Sequence, residues 1–419
     1  MNGNIFPLPF SAHLIFAVVA FVFFLIQFIR VRYKYQLVMA VAVAMTMLIY
    51  LKDTKLWFYG IGILEFGLLI IALVAGNFRG KKEEESLKLR FPLKTLQKTK
   101  RISKMKICIL DWTTVTSGDI DYSVFREFGE VRCYPITDNA KAAEYIADSD
   151  MVLCNKVMIT QDVINKCPNI KYIGLFATGF NNIDLKAASE KGITVCNAGE
   201  YSADAVAQHT FAHILEHFSR ISEYNEFVKG GGWISSKTFS KFPIRTQEIA
   251  GKTLSVIGFG SIGRKVAGIG AAFGMNVLVN TRSNPLNCPY ENVSFEEALS
   301  RADVLTIHCP LTDKTLGMIN SDALSLMKSS AVFVNTARGA IVNEQDLADA
   351  LNSGRIAAAS LDVLCDEPMS ENTPLKDAKN CIITPHTAWA SLETRLRLID
   401  IVRSNIKAYL DGKPRNKVN

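Results

Sequence analysis

The stretch Val256-Ile257-Gly258-Phe259-Gly260-Ser261-Ile262-Gly263 stands where a strand-like run ends and a helix-like run begins. Thr253–Ile257 is apolar and partly β-branched, as a strand buried on both faces should be. Over 262–273, Ile262, Val266, Ile269 and Phe273 recur at helical spacing. At such a junction G-x-G-x-x-G divides its labour: Gly258 makes the tight turn, Gly260 admits a pyrophosphate against the backbone, and Gly263 lets helix and strand pack closely. The helix N-terminus, opening with Ser261 and Ile262, then faces the phosphates. A dinucleotide site is the expectation; a glycine turn without a ligand is the alternative.

The chain on either side alternates in the same way. Strands are expected at Asn276–Asn280, Val304–Ile307, 331–335, 357–361 and Cys381–Ile383, which with Thr253–Ile257 make a six-stranded doubly wound sheet. Upstream, strand-like runs at 107–110, 131–134, Met151–Cys154, 172–176 and Thr194–Cys196 predict a second α/β block. That block lacks G-x-G-x-x-G, so it is assigned to the substrate. A helix over 203–218, with Val206, Thr210, Ile214 and Phe218 four residues apart, joins the two.

Composition separates a first quarter from the rest. The 419 residues are 49% hydrophobic with net charge +7, yet residues 1–104 hold 15 Lys and Arg against 5 Asp and Glu, leaving 32 against 35 for the remainder. A mildly acidic folded part excludes a broad basic face for nucleic acid. The nine cysteines all follow Lys104, odd in number and without C-x-x-C, which suits small core residues in a reducing compartment. The runs 14–29, 37–51 and 56–75 are apolar apart from Gln27 and Glu65, and predict about three transmembrane helices with membrane contact through 11–76. Arg30, Arg32 and Lys34 in one loop and Arg79, Lys81 and Lys82 after the third run place the N-terminus outside and the catalytic part in the cytoplasm. A start at Met105 would instead yield a free cytoplasmic enzyme. The charged segment 79–104 is read either as a membrane-surface segment or as a solvated spacer.

Three ionisable residues fall just after strand ends in the dinucleotide block, Arg338, Glu367 and His386, and Asp362 closes the fifth strand. The set suits reduction of a 2-oxo acid. A guanidinium holds the carboxylate, an imidazolium protonates the carbonyl oxygen as hydride arrives, and a carboxylate on the other ring nitrogen sets the tautomer. His209, His213 and His217 imitate a metal face, but no carboxylate of suitable spacing accompanies them, and helix packing with no metal is expected.

Thr336-Ala337-Arg338-Gly339, Leu361-Asp362-Val363 with Asp366-Glu367-Pro368, and Thr384-Pro385-His386-Thr387-Ala388-Trp389-Ala390-Ser391 resemble the motifs of the D-isomer-specific 2-hydroxyacid dehydrogenases over 105–419. Asn155-Lys156-Val157, Ala177-Thr178-Gly179-Phe180-Asn181-Asn182-Ile183-Asp184 and the H-T-A-W-A-S end are similar to the glycerate dehydrogenase, or hydroxypyruvate and glyoxylate reductase, branch. The resemblance implies interconversion of a small 2-oxo acid and a D-2-hydroxy acid. It implies Arg338 as substrate binder, Glu367 as partner of His386, His386 as proton donor, and backbone N–H groups of Ala177, Thr178 and Gly179 on the substrate carboxylate. It also implies Asp362 on the nicotinamide carboxamide, Cys309, Thr336, Ala337, Arg338 and His386 beside the cofactor, and a homodimer built on 203–218 and the arm after it.

The implied organisation is an anchor at 1–78, a linker at 79–104, a substrate domain at 105–203 completed by 391–419, and a Rossmann domain at 204–390. The expected fold class is therefore α/β, two doubly wound (Rossmann-like or flavodoxin-like) domains preceded by the transmembrane helices. One position departs from the common pattern. Where NAD enzymes carry Asp or Glu at the end of the second strand, this chain has Asn280-Thr281-Arg282-Ser283, so NADP(H) or dual use is expected at Thr281, Arg282 and Ser283, with NAD(H) still possible. A dinucleotide-sensing regulator without turnover is the rival reading, and the intact Arg, Glu and His set argues against it.

Overall fold

The computed structural model describes residues 105–282 and 288–419, together with Ala17, Val18, Ala20 and Val22, which are helical. The chain divides into two units, Met1–Ile102 and Ser103–Asn419. Apart from those four residues, the expected spans and linker lie outside the described residues, as does Ser283. Among the described residues no helix is long and apolar enough to cross a membrane.

The second unit is built on two parallel sheets. Strands β1 (Met105–Ile109), β2 (Gly129–Cys133), β3 (Met151–Cys154), β4 (Tyr172–Leu175) and β5 (Thr194–Cys196) lie in the order β2-β1-β3-β4-β5. Helices α1 (Ala142–Ile146), α2 (Gln161–Lys166) and α3 (Leu185–Glu190) connect them. The alternation of side chains along each strand decides what each face meets. Cys108, Val152, Cys154, Ile173 and Leu175 pack on these three helices. Ile107, Ile109, Met151, Leu153 and Tyr172 face the other way. With both faces covered, β3 and β4 are buried at every residue, which is why they read as continuous apolar runs.

Helix α4 (Ala203–Ser219) carries the chain across, one residue longer than expected, and α5 (Ile221–Lys229) follows it. The second sheet contains β6 (Thr253–Ile257), β7 (Asn276–Asn280), β8 (Glu291–Asn292), β9 (Val304–Ile307), β10 (Val332–Asn335), β11 (Ala358–Leu361) and β12 (Cys381–Ile383). Its order is β12-β11-β10-β9-β6-β7-β8. The expected six strands become seven, because Glu291 and Asn292 pair in parallel with Leu278 and Val279 at the sheet edge. Both added residues are exposed, so no apolar run announces them. They are held by the Asn280 side chain, which donates to the Val293 carbonyl at 2.9 Å.

Helices α6 (Ser261–Ala272), α7 (Phe295–Arg301), α8 (Ser321–Leu326) and α9 (Glu344–Asn352) complete this layer structure. Ala207, Phe211, Ile214 and Phe218 of α4 join Val266 and Ala267 of α6 over one face, while α7, α8 and α9 cover the other. The last helix, α10 (Leu392–Leu410), returns to the first sheet, where Leu398, Ile399, Val402 and Ile406 enter the core with Ile107 and Leu153. Because β6 lies between β7 and β9, the chain leaves it in opposite directions. The resulting crevice at the carboxyl ends of β6 and β9 is where such sheets take ligands.

Candidate active site

The glycine turn has the geometry its spacing demands. Gly258 has φ +94°, and a Cβ there would lie 2.6 Å from the Cys309 backbone nitrogen and 2.7 Å from the His308 carbonyl oxygen. A Cβ on Gly263 would come within 2.0 Å of the Gly258 carbonyl oxygen, so α6 touches the turn backbone to backbone. Gly260 differs from both: nothing stands within 4 Å of its Cβ position. That open face beside the first N–H groups of α6 fits a dinucleotide pyrophosphate. Ile262 turns its side chain into the core, so only its backbone is offered.

At the end of β7, Thr281 is half-buried and Arg282 exposed. Burial raises the Cys309 thiol above its ordinary range, against a backbone hydrogen bond and the more distant charge of Arg282. Thr336 is buried, its hydroxyl 3.2 Å from that of Thr210, and Ala337 is half-buried beside it. The turn carrying them is strapped by Asn335, which accepts from the Ala337 N–H at 2.9 Å and donates to the Arg338 carbonyl at 2.9 Å.

His386, Glu367 and Arg338 follow β12, β11 and β10, three neighbouring strands. The Nδ1 of His386 lies 2.7 Å from Oε2 of Glu367, and Oε1 of Glu367 accepts from the Leu364 N–H at 3.1 Å. Burial works against the Glu367 charge. The hydrogen bond from His386, its charge and that of Lys156 nevertheless hold the carboxyl below its ordinary range. An ionised carboxylate only accepts, so the imidazole keeps its Nδ1 proton and presents Nε2 to the crevice.

His386 itself sits at φ +54°, a left-handed conformation that a non-glycine residue adopts at some cost. Asp362 holds it there. Its carboxylate, 1% exposed, accepts from the Thr384 hydroxyl at 2.6 Å and from the N–H groups of Thr387 and Ala388 at 2.8 Å each. Its carbonyl takes the His386 N–H at 2.8 Å. Both carboxylate oxygens thus serve the loop that bears His386, an arrangement beyond the cofactor contact expected from sequence.

The first sheet supplies the opposite wall. The Nη2 of Arg338 lies 2.9 Å from where a Cβ of Gly179 would stand, so the guanidinium rests on the loop after β4 that holds Ala177, Thr178 and Gly179. Gly339 performs the same service on its own side. A Cβ there would fall 1.9 Å from the Leu364 carbonyl carbon, which brings Arg338 against the loop bearing Glu367. The three histidines of α4 pack on the sheet: His209 and His213 lie 3.1 and 3.2 Å from the Thr384 hydroxyl, and His217 lies 2.9 Å from Ser360 Oγ. Burial, aided by the charge of His209, pushes His213 down to about 4 against the pull of Asp362.

The match to known proteins decides the family. Residues 211–388 match the family model described as D-isomer specific 2-hydroxyacid dehydrogenase, NAD binding domain. Over 323 residues the chain is 40% identical to a hydroxypyruvate reductase of Blautia hydrogenotrophica, covering 75% of this chain and 100% of the relative. The chain belongs to the D-isomer-specific 2-hydroxyacid dehydrogenases. A glyoxylate reductase of Aeropyrum pernix is 41% identical over 266 residues, 62% of this chain and 79% of that protein. Among solved structures, an acyclic imino acid reductase in complex with NADPH and D-Arg matches with a TM-score of 0.67 at 29% identity, over 75% of this chain and 100% of that one. This D-2-hydroxyacid dehydrogenase is thus an oxidoreductase of the CH–OH group that uses a nicotinamide cofactor.

Two residues of the site escaped the sequence reading. Asp111, after β1, is 2% exposed and accepts from the N–H groups of Asn155, Lys156 and Val157 at 2.8, 2.6 and 3.2 Å. Burial raises its carboxyl, opposed by those three bonds. Lys156 lies within Asn155-Lys156-Val157, a motif whose spacing by itself assigns the lysine no role. The available signal was that both follow apolar strand runs, the place where ligand-facing residues of a parallel sheet collect.

Proposed function

We propose that this dehydrogenase reduces hydroxypyruvate and glyoxylate to D-glycerate and glycolate with NADPH, NADH serving less well. The observation that carries the reading is the 2.7 Å contact of His386 with Glu367, on strand ends neighbouring that of Arg338, whose guanidinium rests on the Gly179 loop. The names of the two curated relatives support the substrate pair. Gly258, Gly260, Gly263 and the start of α6 would hold the dinucleotide, which when bound supplies hydride to the carbonyl carbon. Arg338 and the backbone of Ala177, Thr178 and Gly179 hold the carboxylate. His386 delivers the proton from Nε2 to the carbonyl oxygen, and Glu367 stabilises the imidazolium that precedes transfer. Asp362 acts here as a positioning residue through the 384–388 loop. The test is steady-state reduction by the full chain with each acid and each cofactor. No turnover of either acid, with NADPH demonstrably bound, would favour the sensing reading instead.

NADPH is favoured because Thr281, Arg282 and Ser283, with no carboxylate among them, follow Asn280 at the end of β7, and the exposed Arg282 can pair with a 2′-phosphate. A charge-assisted contact with the 2′-phosphate is worth about 1.5–3 kcal/mol, roughly a tenfold to hundredfold preference. Thr281→Asp combined with Arg282→Ala should swing kcat/KM toward NADH by that factor. A wild type that already prefers NADH, with a ratio the double change leaves alone, makes Arg282 a surface residue.

The enzyme is further proposed to be a homodimer tethered to the membrane through 11–76, with 105–419 in the cytoplasm, where reduced nicotinamide is supplied. Trp233, Phe239 and Phe242 in the segment after α5 are 49%, 92% and 84% exposed, which supports a second copy covering that arm. A reporter fused after Asn419 should fractionate with membranes and be active only on the cytoplasmic side. Recovery of the full chain in the soluble fraction would remove the tether.

A further inference from the structure

Resting on the reductase reading above, we propose that Lys156 is the specificity-determining residue that recognises an oxygen on carbon 3 of the substrate, so that the enzyme prefers a 3-hydroxy-2-oxo acid to its 3-deoxy counterpart.

Lys156 is held where a ligand-reading residue belongs. It follows β3, whose neighbour β4 ends in the Ala177-Thr178-Gly179 loop against which Arg338 lies. The turn is clamped from two directions. The buried Asp111 carboxylate takes three successive N–H groups, including that of Lys156 at 2.6 Å. Asn182, from the substrate loop itself, donates to the Val157 carbonyl at 2.9 Å. Asn155 and Val157 on either side are buried, whereas Lys156 is exposed. These bonds fix the backbone of Lys156 beside the substrate loop.

Among the described residues the ammonium has no ion-pair partner. Partial desolvation lowers it below the ordinary lysine range, a shift that the charge of Glu367 opposes and that of Arg338 assists. The rest of the substrate is already provided for. Arg338 and the loop after β4 take the carboxylate, and His386 takes the carbonyl oxygen. What remains for Lys156 is the substituent on the far side of the carbonyl. An oxygen there accepts a hydrogen bond from the ammonium, while a methyl group leaves a half-desolvated cation without one.

The experiment compares the full-length wild type, Lys156→Met and Lys156→Arg on hydroxypyruvate, pyruvate and glyoxylate with saturating NADPH. Wild type should prefer hydroxypyruvate to pyruvate. Lys156→Met should lose about tenfold to a hundredfold in kcat/KM for hydroxypyruvate, the weight of a charged hydrogen bond. Pyruvate and glyoxylate, which carry no oxygen on carbon 3, should change little, and Lys156→Arg should recover part of the loss. NADPH fluorescence quenching at wild-type affinity shows that each variant is folded. Equal losses on all three acids, with a displaced pH profile, would mean that Lys156 acts through Glu367 and would overturn the assignment, as would an unchanged ratio of hydroxypyruvate to pyruvate. If wild type reduces neither glyoxylate nor hydroxypyruvate, the reductase reading itself fails. Activity on both with an unchanged ratio in Lys156→Met sinks only the role of Lys156.

Discussion

Replacing His386 by alanine is expected to lower kcat for 2-oxo acid reduction by about 10²- to 10⁴-fold while NADPH still binds, the range that a positioned general acid contributes. The imidazole is bonded through Nδ1 to Glu367 at 2.7 Å, so its other nitrogen is the one free to carry a proton. The pyrophosphate turn belongs to β6 and α6, and Asp362 holds the 384–388 loop through its backbone N–H groups as well as through Thr384. Neither depends on the imidazole. Glu367→Gln replaces the carboxylate that holds Nδ1 at 2.7 Å by a neutral amide, so the pH dependence of reduction should change. Burial opposes the charge of Glu367, yet the hydrogen bond from His386 holds its carboxyl below the ordinary range. Stopped-flow and steady-state rates across pH 5 to 9 give both answers. A variant without His386 that turns over near the wild-type rate would remove it from the reaction, and an unchanged pH profile would remove Glu367.

Two alanine substitutions in one turn should have opposite consequences. At Gly263 the new Cβ would lie 2.0 Å from the Gly258 carbonyl oxygen, a backbone contact that cannot rotate away. Overpacking of this kind costs about 1–3 kcal/mol or more, so thermal unfolding without cofactor should begin several degrees earlier. At Gly260 nothing stands within 4 Å of the Cβ, so the unliganded protein should keep its melting temperature. The same methyl group would occupy the side from which the pyrophosphate approaches, so NADPH affinity should fall steeply. Calorimetry without cofactor and fluorescence titration with NADPH separate the two effects. Wild-type binding by Gly260→Ala would mean that the dinucleotide does not cross the open side of the turn.

Most of the sheet architecture was legible because apolar periodicity is a local property. Strands 151–154, 253–257, 276–280 and 304–307 match the sequence expectation to the residue, because each carries a short apolar, partly β-branched run at its buried centre. The three glycines were assigned separate tasks from spacing alone, and the structure gives each its own surroundings. Strand β8 was missed for the converse reason: its exposed Glu291 and Asn292 join the sheet through an edge and not through a core. Tertiary structure alone decided the pairings of polar groups. Gly179 and Arg338 meet because the loops after β4 and β10 approach across the crevice, and Asp111 reaches the 155–157 turn because β1 lies beside β3. Asp362 is a second case, its carboxylate taken by a loop more than twenty residues further on. Hydrophobic pattern specifies which face of an element is buried. The partner of a buried carboxylate depends on which strand ends become neighbours, and that is settled only when the sheets assemble.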